Sequence, residues 1–280
     1  MTTHITTTST EPILILGATG KTGSRVLARL LASGHVARGA SRSSEITFDW
    51  TDRGTWAPAL RGAGSVYITY QPDLMVAGSA DDIAELVRLA GEAGVRRLVL
   101  LSGRGEPEAQ ACAQIVLDSG IDATIIECSW FAQNFTEDYL AAAVAEGVLA
   151  LPVGPVGEPF VDVEDIADVA VAALTDPAHA GKTYELTGPR LLTFADVAAV
   201  ISATTGRDVD FVRLSAQEYR AGLLDAGLPQ PIVDLVSALF ATLFDGRNAS
   251  LGDGVQTVLG RPPRDLADVI GEAGRIEVRS

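Results

Sequence analysis

The sequence predicts an α/β protein built on a doubly wound parallel sheet, with a smaller and mostly helical lobe towards its C-terminus. The first observation behind this prediction is a short apolar run, Ile13–Leu16, which ends at a glycine and is typical of a buried strand. The second is the alternation of strand-like and helix-like segments as far as Glu127, which favours parallel strands joined by right-handed crossovers. The third is a change after about Leu151, where turn-forming residues and helical patterns replace this alternation.

The elements of the first half follow from apolar periodicity and from the positions of glycines. Val26, Leu27, Leu30 and Leu31 recur at helical spacing, and Gly34 stands where that helix would end. The same reasoning predicts strands over residues 13–16, 36–40, 47–48, 65–70, 97–101 and 123–127, and helices over residues 20–33, 81–93 and 109–118. Strands and helices in this order form the larger of the two expected domains.

The second half contains fewer strand signals and more helical ones. Residues 151–157 are rich in turn formers, residues 160–163 and 209–214 resemble short strands, and the remaining predicted helices cover residues 165–174, 193–205, 215–226, 231–244 and 264–273. We therefore expect a cofactor-binding domain over residues 11–150, to which residues 159–176 return. The substrate lobe would comprise residues 151–158 and 177–280, packed where such sheets bind ligands.

Three glycines directly after the first strand predict a dinucleotide site. Gly17 makes the tight turn, Gly20 lets phosphates approach the backbone, and Gly23 permits close packing of helix on strand. The context of strand, turn and helix makes this a Rossmann-type motif rather than a chance glycine triplet. A P-loop is excluded, because its leading glycine would fall at Ile15. The remaining expected phosphate contacts of the turn are Thr19, Lys21 and Thr22.

The end of the second strand favours NADPH over NADH. NAD-binding units usually carry Asp or Glu about 20 residues after the glycines, where it holds the ribose hydroxyls. This stretch instead offers Arg38 and Arg42 with Ser41 and Ser43, which suit a 2′-phosphate because they donate charge-assisted hydrogen bonds. The alternative is that one or both arginines only solvate the loop.

Composition and charge limit which other partners, such as nucleic acid, metal or membrane, this chain is expected to bind. A net charge of −15 argues against nucleic acid, and the two cysteines of the chain form neither a disulfide framework nor a zinc pattern, so we expect no metal. No apolar run reaches the ~18–20 residues of a membrane helix, and the N-terminus lacks the layout of a signal peptide. We expect a cytoplasmic protein that acts on a small molecule and has no membrane partner. Its oligomeric state, monomer or homodimer, is left open.

The usual proton donor of short-chain dehydrogenases, a Tyr with a Lys one helical turn later, is impossible here. The only lysines are Lys21 and Lys182, and neither has such a Tyr. The three histidines, His4, His35 and His179, lie in the tail or in loops. Hydride transfer to an already activated acceptor, an imine, iminium or polarised C=C bond, then becomes the expected chemistry.

Candidates for the site follow from the carboxyl ends of the strands, where ligands bind in such sheets. The expected catalytic residues are Tyr70, Ser102 and Tyr139. Thr69 and Gly103, together with Tyr70 and Ser102, are expected to line the cofactor. The expected substrate pocket comprises Glu127, Trp130, Phe131 and Asn134, although the aromatic members could equally be packing between lobes.

Several segments resemble the NmrA-like atypical short-chain dehydrogenases. They are the glycine turn 17–23 and residues 129–135, 159–167, 186–189 and 260–264. Residues 48–50, with Thr55-Trp56 and residues 66–68, are more similar to the ergot-alkaloid dehydrogenases of the agroclavine and festuclavine type and their bacterial relatives. The resemblance covers nearly the whole chain and implies NADPH as cofactor and reduction of an imine, iminium or activated double bond. It also implies that Asp49 and Trp50 lie near the adenine, and that the loop after Tyr70 and the segment around Trp130 lie near the nicotinamide.

Two departures from the family pattern bear on the chemistry. Glu127-Cys128 stands where such proteins commonly have Arg-Pro, and Glu127 could face a cationic substrate or join a structural ion pair, the interpretation we favour from sequence. The helix after the fifth strand lacks the lysine that many relatives keep there. The alternative function is therefore a non-catalytic, NADP(H)-sensing regulator of NmrA type. A third hypothesis is an isomerase or lyase in which the bound cofactor serves only as a structural scaffold.

Overall fold

The computed structural model describes residues 11–137 and 139–277, and for Tyr139 and residues 275–277 it describes the backbone only. Its main sheet has seven strands in the order β3-β2-β1-β4-β5-β6-β8. The strands are β1 (Ile13–Leu16), β2 (Ala37–Ser41), β3 (Ile46–Thr47), β4 (Ser65–Ile68), β5 (Arg97–Gly103), β6 (Asp122–Cys128) and β8 (Lys182–Leu186). The order matches the doubly wound Rossmann arrangement with one added strand, as predicted.

The reversal of strand order at β1 determines where this sheet can bind a ligand. β1 pairs in parallel with β2 on one side and with β4 on the other, and the pairs β2–β3 and β4–β5 are parallel too. All four residues of β1 are buried, because helices cover both faces of the sheet there. The crevice at the carboxyl ends of β1 and β4 is therefore the topological switch point, the usual ligand position in open α/β sheets.

Helices connect the strands and form most of the C-terminal half. They are α1 (Lys21–Ala32), α2 (Trp56–Leu60), α3 (Ser79–Glu92), α4 (Pro107–Leu117), α5 (Tyr139–Glu146), α6 (Val163–Thr175), α7 (Phe194–Thr205), α8 (Ala216–Asp225), α9 (Gln230–Leu243), α10 (Gly254–Leu259) and α11 (Leu266–Glu277). A second sheet contains only β7 (Val148–Leu151) and β9 (Asp210–Arg213), paired in parallel. None of the described helices is both long and apolar enough to span a bilayer.

The chain divides into two compact units, each with its own core. The first unit comprises residues 11–102, 108–126 and 167–183, and the second comprises residues 103–107, 127–166 and 184–277 of the described chain. Trp56 and Ile68 are fully buried in the core of the first unit, and Phe160 and Phe194 are buried in that of the second. This division differs from the predicted one. Residues 127–150 belong to the second unit, and the return to the first covers residues 167–183 rather than 159–176.

One predicted strand is wrong. Residues 160–163 form no strand, because this extended stretch makes a single bridge, between Val161 and Phe131, before α6 begins at Val163. The apolar residues of the stretch are buried nonetheless. A short run of apolar residues is also typical of a buried strand, which is why the sequence predicted one here. The elements α2, α5, α10, β7 and β8 were not predicted from the sequence.

Candidate functional site

The glycine turn lies at the topological switch point of the first unit. Gly17 follows β1 with a φ of +70°, in the left-handed region that favours glycine. Thr69, directly after β4, donates its hydroxyl to the Leu16 carbonyl at 3.1 Å, and a Cβ on Gly17 would overlap that hydroxyl oxygen. The predicted residues Gly17 and Thr69 are thus brought together, and the carboxyl ends of β1 and β4 are joined at the crevice.

The N-terminus of α1 leaves its first N–H groups available to an anion. No side chain caps the helix, and its first turn contains no acidic residue. A Cβ on Gly23 would overlap the Gly17 carbonyl oxygen and come within 2.8 Å of the Gly17 carbonyl carbon, so glycine is what lets α1 approach the turn. Uncapped N–H groups and the positive end of a 12-residue helix suit a pyrophosphate. Around this turn Thr19 and Gly20 are exposed, Lys21 is half-buried and Thr22 is buried.

The two arginines of the predicted 2′-phosphate site have different environments. Arg38 lies within β2 and donates through Nη2 to the carbonyls of Ala59 (3.4 Å) and Arg61, at the C-terminal end of α2. Arg42 follows β2, is exposed, and makes no hydrogen bond or ion pair with any residue that the structure describes. Arg42 is therefore the arginine that remains available to a phosphate, and the prediction for Arg38 is disfavoured because its guanidinium already binds carbonyls.

Serine hydroxyls gather at the same end of β2. The Ser41 hydroxyl is buried and lies 2.6 Å from the hydroxyl of Ser44 and 3.5 Å from that of Ser43. Ser43 also donates its backbone N–H to the Ser41 hydroxyl at 3.3 Å, which closes a tight turn. Ser43 itself is exposed beside Arg42, so these two residues can meet a ligand while Ser41 shapes the turn.

Aromatic side chains form one wall beside the turn in the first unit. Trp50 donates its indole N–H to the Thr69 carbonyl at 3.0 Å, and its ring centroid lies 4.5 Å from that of Tyr70. Asp49 accepts from the backbone and the hydroxyl of Thr51, and these hydrogen bonds lower the pKa of the Asp49 carboxyl. Trp50 is thus held beside Thr69, directly after β4. That Asp49 and Trp50 lie near the adenine stays a prediction.

The predicted catalytic hydroxyls are engaged in hydrogen bonds of the first unit. Tyr70 donates its hydroxyl to Asp82 at 2.7 Å, and burial, followed by that hydrogen bond, raises the pKa of the Tyr70 phenol. Ser102 is buried and its hydroxyl faces the Ala109 carbonyl at 3.4 Å. Neither arrangement favours a proton donor. The side chain of Tyr139 lies outside the described atoms, so its catalytic role stays a prediction.

Gly103 begins the second unit, at the end of β5, one residue after Ser102. A Cβ on Gly103 would overlap the carboxylate of Glu106, which is buried. Glycine is therefore required here so that the loop after β5 can fold back on itself. Its expected contact with the cofactor stays a prediction.

The predicted substrate residues belong to the second unit, where Glu127 lies within β6 and the other three follow that strand. The Trp130 ring centroid lies 5.4 Å from that of Phe240 and 5.1 Å from that of Phe244, both of which are buried. Phe131 and Asn134 are half-buried, with Asn134 N–H donating to the Phe131 carbonyl at 3.1 Å. These distances show aromatic packing within one unit, and Trp130 remains partly accessible at its edge.

Glu127 does not form the structural ion pair that the sequence favoured. Its half-buried carboxyl makes no hydrogen bond or ion pair with the described residues. The nearby guanidinium of Arg104 instead pairs with Glu185 at 3.1 Å. Burial and, second, the charge of Glu185 raise the pKa of Glu127. The ion-pair interpretation is therefore wrong, and Glu127 is left with its charge uncompensated by direct contact.

Sequence reasoning missed a buried acid beside the predicted pocket. Glu158 is 2% exposed and its Oε1 accepts the backbone N–H of Trp130 at 3.0 Å. Burial raises the pKa of Glu158 to about 7, against the opposing effects of the Trp130 hydrogen bond and the Arg104 charge. The signal available in the sequence was a single Glu between Gly157 and Pro159, which reads as an ordinary turn residue.

A second network that the sequence did not reveal links three of the family-like segments. Gln133 donates to Asp162 at 2.6 Å and accepts the N–H of Val163 at 2.9 Å. Asp165 accepts from Arg264 and is also paired with Arg261. Segments 129–135, 159–167 and 260–264 are therefore joined to one another by polar contacts.

The fold and the glycine turn define a Rossmann-type dinucleotide-binding protein. Among the described residues no group of three or more His, Cys, Asp or Glu side chains is arranged to hold a metal ion. Comparisons with known proteins narrow the class further. The model of the NmrA-like family matches residues 9–250, so this chain belongs to the NmrA-like family.

Curated relatives match almost the whole chain. Agroclavine dehydrogenase of Claviceps fusiformis is 30% identical over 93% of this chain and 96% of its own length. An NAD(P)H azoreductase of Xenophilus azovorans is 31% identical over 91% of this chain and 96% of its own. The predicted family and the predicted class, an NAD(P)-dependent oxidoreductase, are confirmed by these relatives.

Solved structures share the fold. Triphenylmethane reductase of Citrobacter sp. superposes with a TM-score of 0.80 at 20% identity, over 94% of this chain and 99% of its own. An NADPH-dependent quinone oxidoreductase of Escherichia coli, solved with NADPH, has a TM-score of 0.79 at 23% identity, over 93% of this chain and 99% of its own. The predicted fold class is therefore confirmed.

Proposed function

We propose that this chain is an NADPH-dependent reductase that transfers a hydride to a small organic acceptor, an imine, an iminium ion or an activated C=C bond. The observation that carries the proposal is the uncapped N-terminus of α1 above the glycine turn at the switch point. Gly17, Gly20 and Gly23 have no side chains that would cover the backbone of the turn. The pyrophosphate of a dinucleotide can therefore accept hydrogen bonds from the backbone N–H groups there.

Arg42 supports NADPH as the preferred dinucleotide. It is exposed at the end of β2 next to the exposed Ser43, and no described residue neutralises it by direct contact. A 2′-phosphate would receive charge-assisted hydrogen bonds from such a pair, whereas the ribose hydroxyls of NADH would lack the acidic partner that usually holds them. Solved structures that share this fold include a triphenylmethane reductase with NADP(H) and a quinone oxidoreductase with NADPH.

The residues of the chain would bind and orient, and the cofactor would contribute the reducing equivalent. When bound, reduced nicotinamide supplies a hydride. Trp50, which is hydrogen-bonded to the Thr69 carbonyl, would contact the cofactor on the side of β4. Trp130, with Phe240 and Phe244 behind it, would offer an aromatic surface to the acceptor. Binding of this kind, without an acid or base, suits acceptors that are already electron-poor.

The names of the relatives support an electron-poor acceptor without fixing which one. They include a clavine dehydrogenase, an azoreductase, a triphenylmethane dye reductase and a quinone oxidoreductase. Azo compounds, triphenylmethane dyes and quinones each contain a conjugated system that can take up a hydride, and they differ in charge and shape. The second candidate function, an NADP(H)-sensing regulator, draws on the engaged hydroxyls of Tyr70 and Ser102, which leave the usual proton donors unavailable.

The test is turnover with a cofactor deuterated at the transferred position. The protein is mixed with this NADPH and a panel of cyclic imines, N-alkyl iminium salts, enones, azo dyes and quinones, and loss of nicotinamide absorbance is followed. We expect reduction of at least one class, with deuterium in the product by mass spectrometry. Tight NADPH binding without turnover of any acceptor would favour the sensor, and absence of NADPH binding would contradict both functions.

A further inference from the structure

The second unit contains a groove that the proposed reduction does not use. The groove has a volume of about 80 Å³ and is lined by residues of α5, α7 and α11 and of the segments beside them, so it belongs entirely to this unit. None of the described side chains that were predicted to bind the cofactor or the substrate lines it. A ligand in this groove would therefore occupy a site of its own.

The surface of the groove is mainly apolar. Phe135, Ile201 and Ile270 line it and are buried, so they form its floor. Small residues stand at its sides, among them Ala145 of α5 and Gly274 of α11, and a Cβ on Gly274 would meet no described atom within 4 Å. Neither Asp nor Glu is among the described lining residues. The groove therefore suits the apolar body of a ligand and holds no carboxylate that would repel an anion.

Arg207 carries the only charged side chain among the described residues that line the groove. Its Nη2 donates to the Ala145 carbonyl at 2.7 Å, and its backbone N–H donates to the Thr205 hydroxyl at 3.3 Å, so Arg207 is held beside the groove from two sides. Nε and Nη1 make no hydrogen bond to a described residue, and no described carboxylate pairs with the guanidinium. Guanidinium groups bind carboxylates through charge-assisted hydrogen bonds, often two at once.

An arginine without an acidic partner is uncommon in the described part of the second unit. The arginines paired with a carboxylate there are Arg104, Arg190, Arg220, Arg247, Arg261 and Arg264. Arg207 and Arg213 have no such partner among the described residues, and of these two only Arg207 lines the groove. The chain has 36 acidic and 21 basic residues, so acids are in excess and the charge of Arg207 is still left for an anion from outside the chain.

We propose that this groove binds a medium-chain fatty acid, with the alkyl chain on the apolar floor and the carboxylate on Arg207. A single guanidinium matches a monoanion, whereas a phosphate ester with two charges would call for further cations. A straight alkyl chain is narrow enough to pass between small side chains such as Ala145 and Gly274. The inference goes beyond the proposed reduction, because this site takes no part in hydride transfer.

The experiment is isothermal titration calorimetry of the full chain with sodium octanoate, without NADPH or a hydride acceptor. We expect one octanoate to bind per chain, with a Kd below about 1 mM. 1-Octanol keeps the alkyl chain without the charge, and butanoate keeps the charge with a shorter chain. Each should bind at least about tenfold more weakly than octanoate, because each lacks one of the two expected contacts.

Arg207→Gln tests the anion contact. The amide of Gln removes the charge but keeps an N–H donor for the Ala145 carbonyl. We expect octanoate to bind at least about tenfold more weakly to this variant, while the affinity for 1-octanol changes by less than about 3-fold. Arg213→Gln, the same change at an exposed arginine of the same unit outside the groove, is the matched control and should behave as wild type.

Gly274→Leu tests the apolar contact. A leucine side chain there would occupy the groove, so octanoate and 1-octanol should both bind at least about tenfold more weakly. The matched control is Gly222→Leu in α8. A Cβ on Gly222 also meets no described atom within 4 Å, but Gly222 does not line the groove, so this variant should bind octanoate like wild type.

Selective loss of octanoate in Arg207→Gln, with loss of both ligands in Gly274→Leu, supports the site. Absence of saturable octanoate binding, equal affinities for octanoate and 1-octanol, or wild-type affinity in either variant would overturn it. Octanoate binding that appears only after removal of residues 278–280 would assign the groove to the chain's own end, and binding that appears only on dilution to a monomer would assign it to a second copy. Both results would overturn the fatty-acid site. The turnover assay decides the proposed reductase separately, because these titrations contain neither NADPH nor an acceptor.

Discussion

Asp165 holds Arg264 by two hydrogen bonds at once: one carboxylate oxygen accepts the Arg264 backbone N–H and the other accepts Nη1, each at 2.7 Å. Asp165 is 0% exposed, and Arg261 contacts the same carboxylate at 2.7 Å. The start of α6 is thereby fixed to the segment that precedes α11, within the second unit. The carboxylate has several donors, so its burial is compensated, in contrast to Glu158.

Removal of this carboxylate should destabilise the protein strongly. In Asp165→Ala, Arg261 and Arg264 lose their shared buried partner, and we expect a loss of about 3–5 kcal/mol in the free energy of unfolding. Urea denaturation followed by circular dichroism measures it. The control is Arg190→Ala, which breaks the more exposed pair with Asp265 and should cost less than about 1 kcal/mol. Equal costs for the two variants would show that the buried network adds nothing to an ordinary surface pair.

A methyl group on Gly23 should damage the cofactor site. It would overlap the Gly17 carbonyl oxygen and force α1 away from the turn. We expect Gly23→Ala to lose about 1–3 kcal/mol of stability from overpacking and to bind NADPH at least tenfold more weakly by isothermal titration calorimetry.

Gly222→Ala is the matched control for this change. Gly222 lies in α8, and a Cβ there meets no atom within 4 Å, so the variant should gain roughly 0.5–1 kcal/mol and keep wild-type affinity for NADPH. If both glycine variants bound NADPH like wild type, the turn would not be the phosphate site.

Arg42 and Arg38 should separate into a cofactor contact and a structural contact. Arg42→Ala removes a charge-assisted donor, so NADPH binding should weaken by about 1–3 kcal/mol while NADH binding hardly changes. Arg38→Ala should instead lower the thermal stability, because it leaves the carbonyls of Ala59 and Arg61 without their donor. Titration calorimetry with both cofactors decides the matter. Losses of the same size for NADPH and NADH in Arg42→Ala would mean that Arg42 does not distinguish them.

Glu158 should make stability fall as pH rises. Its pKa is about 7 in the folded protein and about 4.5 as the reference for an unfolded chain, so the folded state binds more protons between these values. The contribution of Glu158 is most favourable below pH 4.5, decreases through the window up to about 7 and is constant above it. The total change is about 3 kcal/mol.

The measurement is the difference in free energy of unfolding between wild type and Glu158→Gln at pH 5 and pH 8. The amide stays neutral and can still accept the Trp130 N–H, so the variant should be the more stable protein at pH 8. Other carboxyls titrate equally in both proteins and cancel in the difference, and Glu146→Gln reports any effect of removing one surface charge. Parallel pH curves for wild type and Glu158→Gln would contradict the raised pKa.

The features that sequence could predict are those written in short stretches of chain. β1 and the glycine turn combine an apolar run with glycines at fixed spacing. The position of the ligand site and its class, a dinucleotide site, could therefore be predicted from the sequence. β8 was missed because four of its five residues are exposed or half-buried and it carries no alternating apolar pattern. Its pairing at the edge of the sheet is a property of the assembled fold.

The environments of single side chains could not be predicted in the same way. Arg38 and Arg42 look alike in the sequence, and only the position of the Ala59 and Arg61 carbonyls distinguishes them. Glu158 reads as a turn residue until the distant Trp130 donates to it. A hydrogen-bond partner far along the chain depends on tertiary packing, which local periodicity does not encode.

The interleaving of the two units has a consequence for how this protein can be divided. Each unit is assembled from three stretches of chain, so the polypeptide passes from one to the other five times. No single cut, by a protease or by a gene designer, releases either unit whole, since truncation after residue 150 would strip the first unit of residues 167–183. Exchange of either unit between two relatives would therefore need several crossovers in the gene, whereas substitutions within the existing scaffold need none.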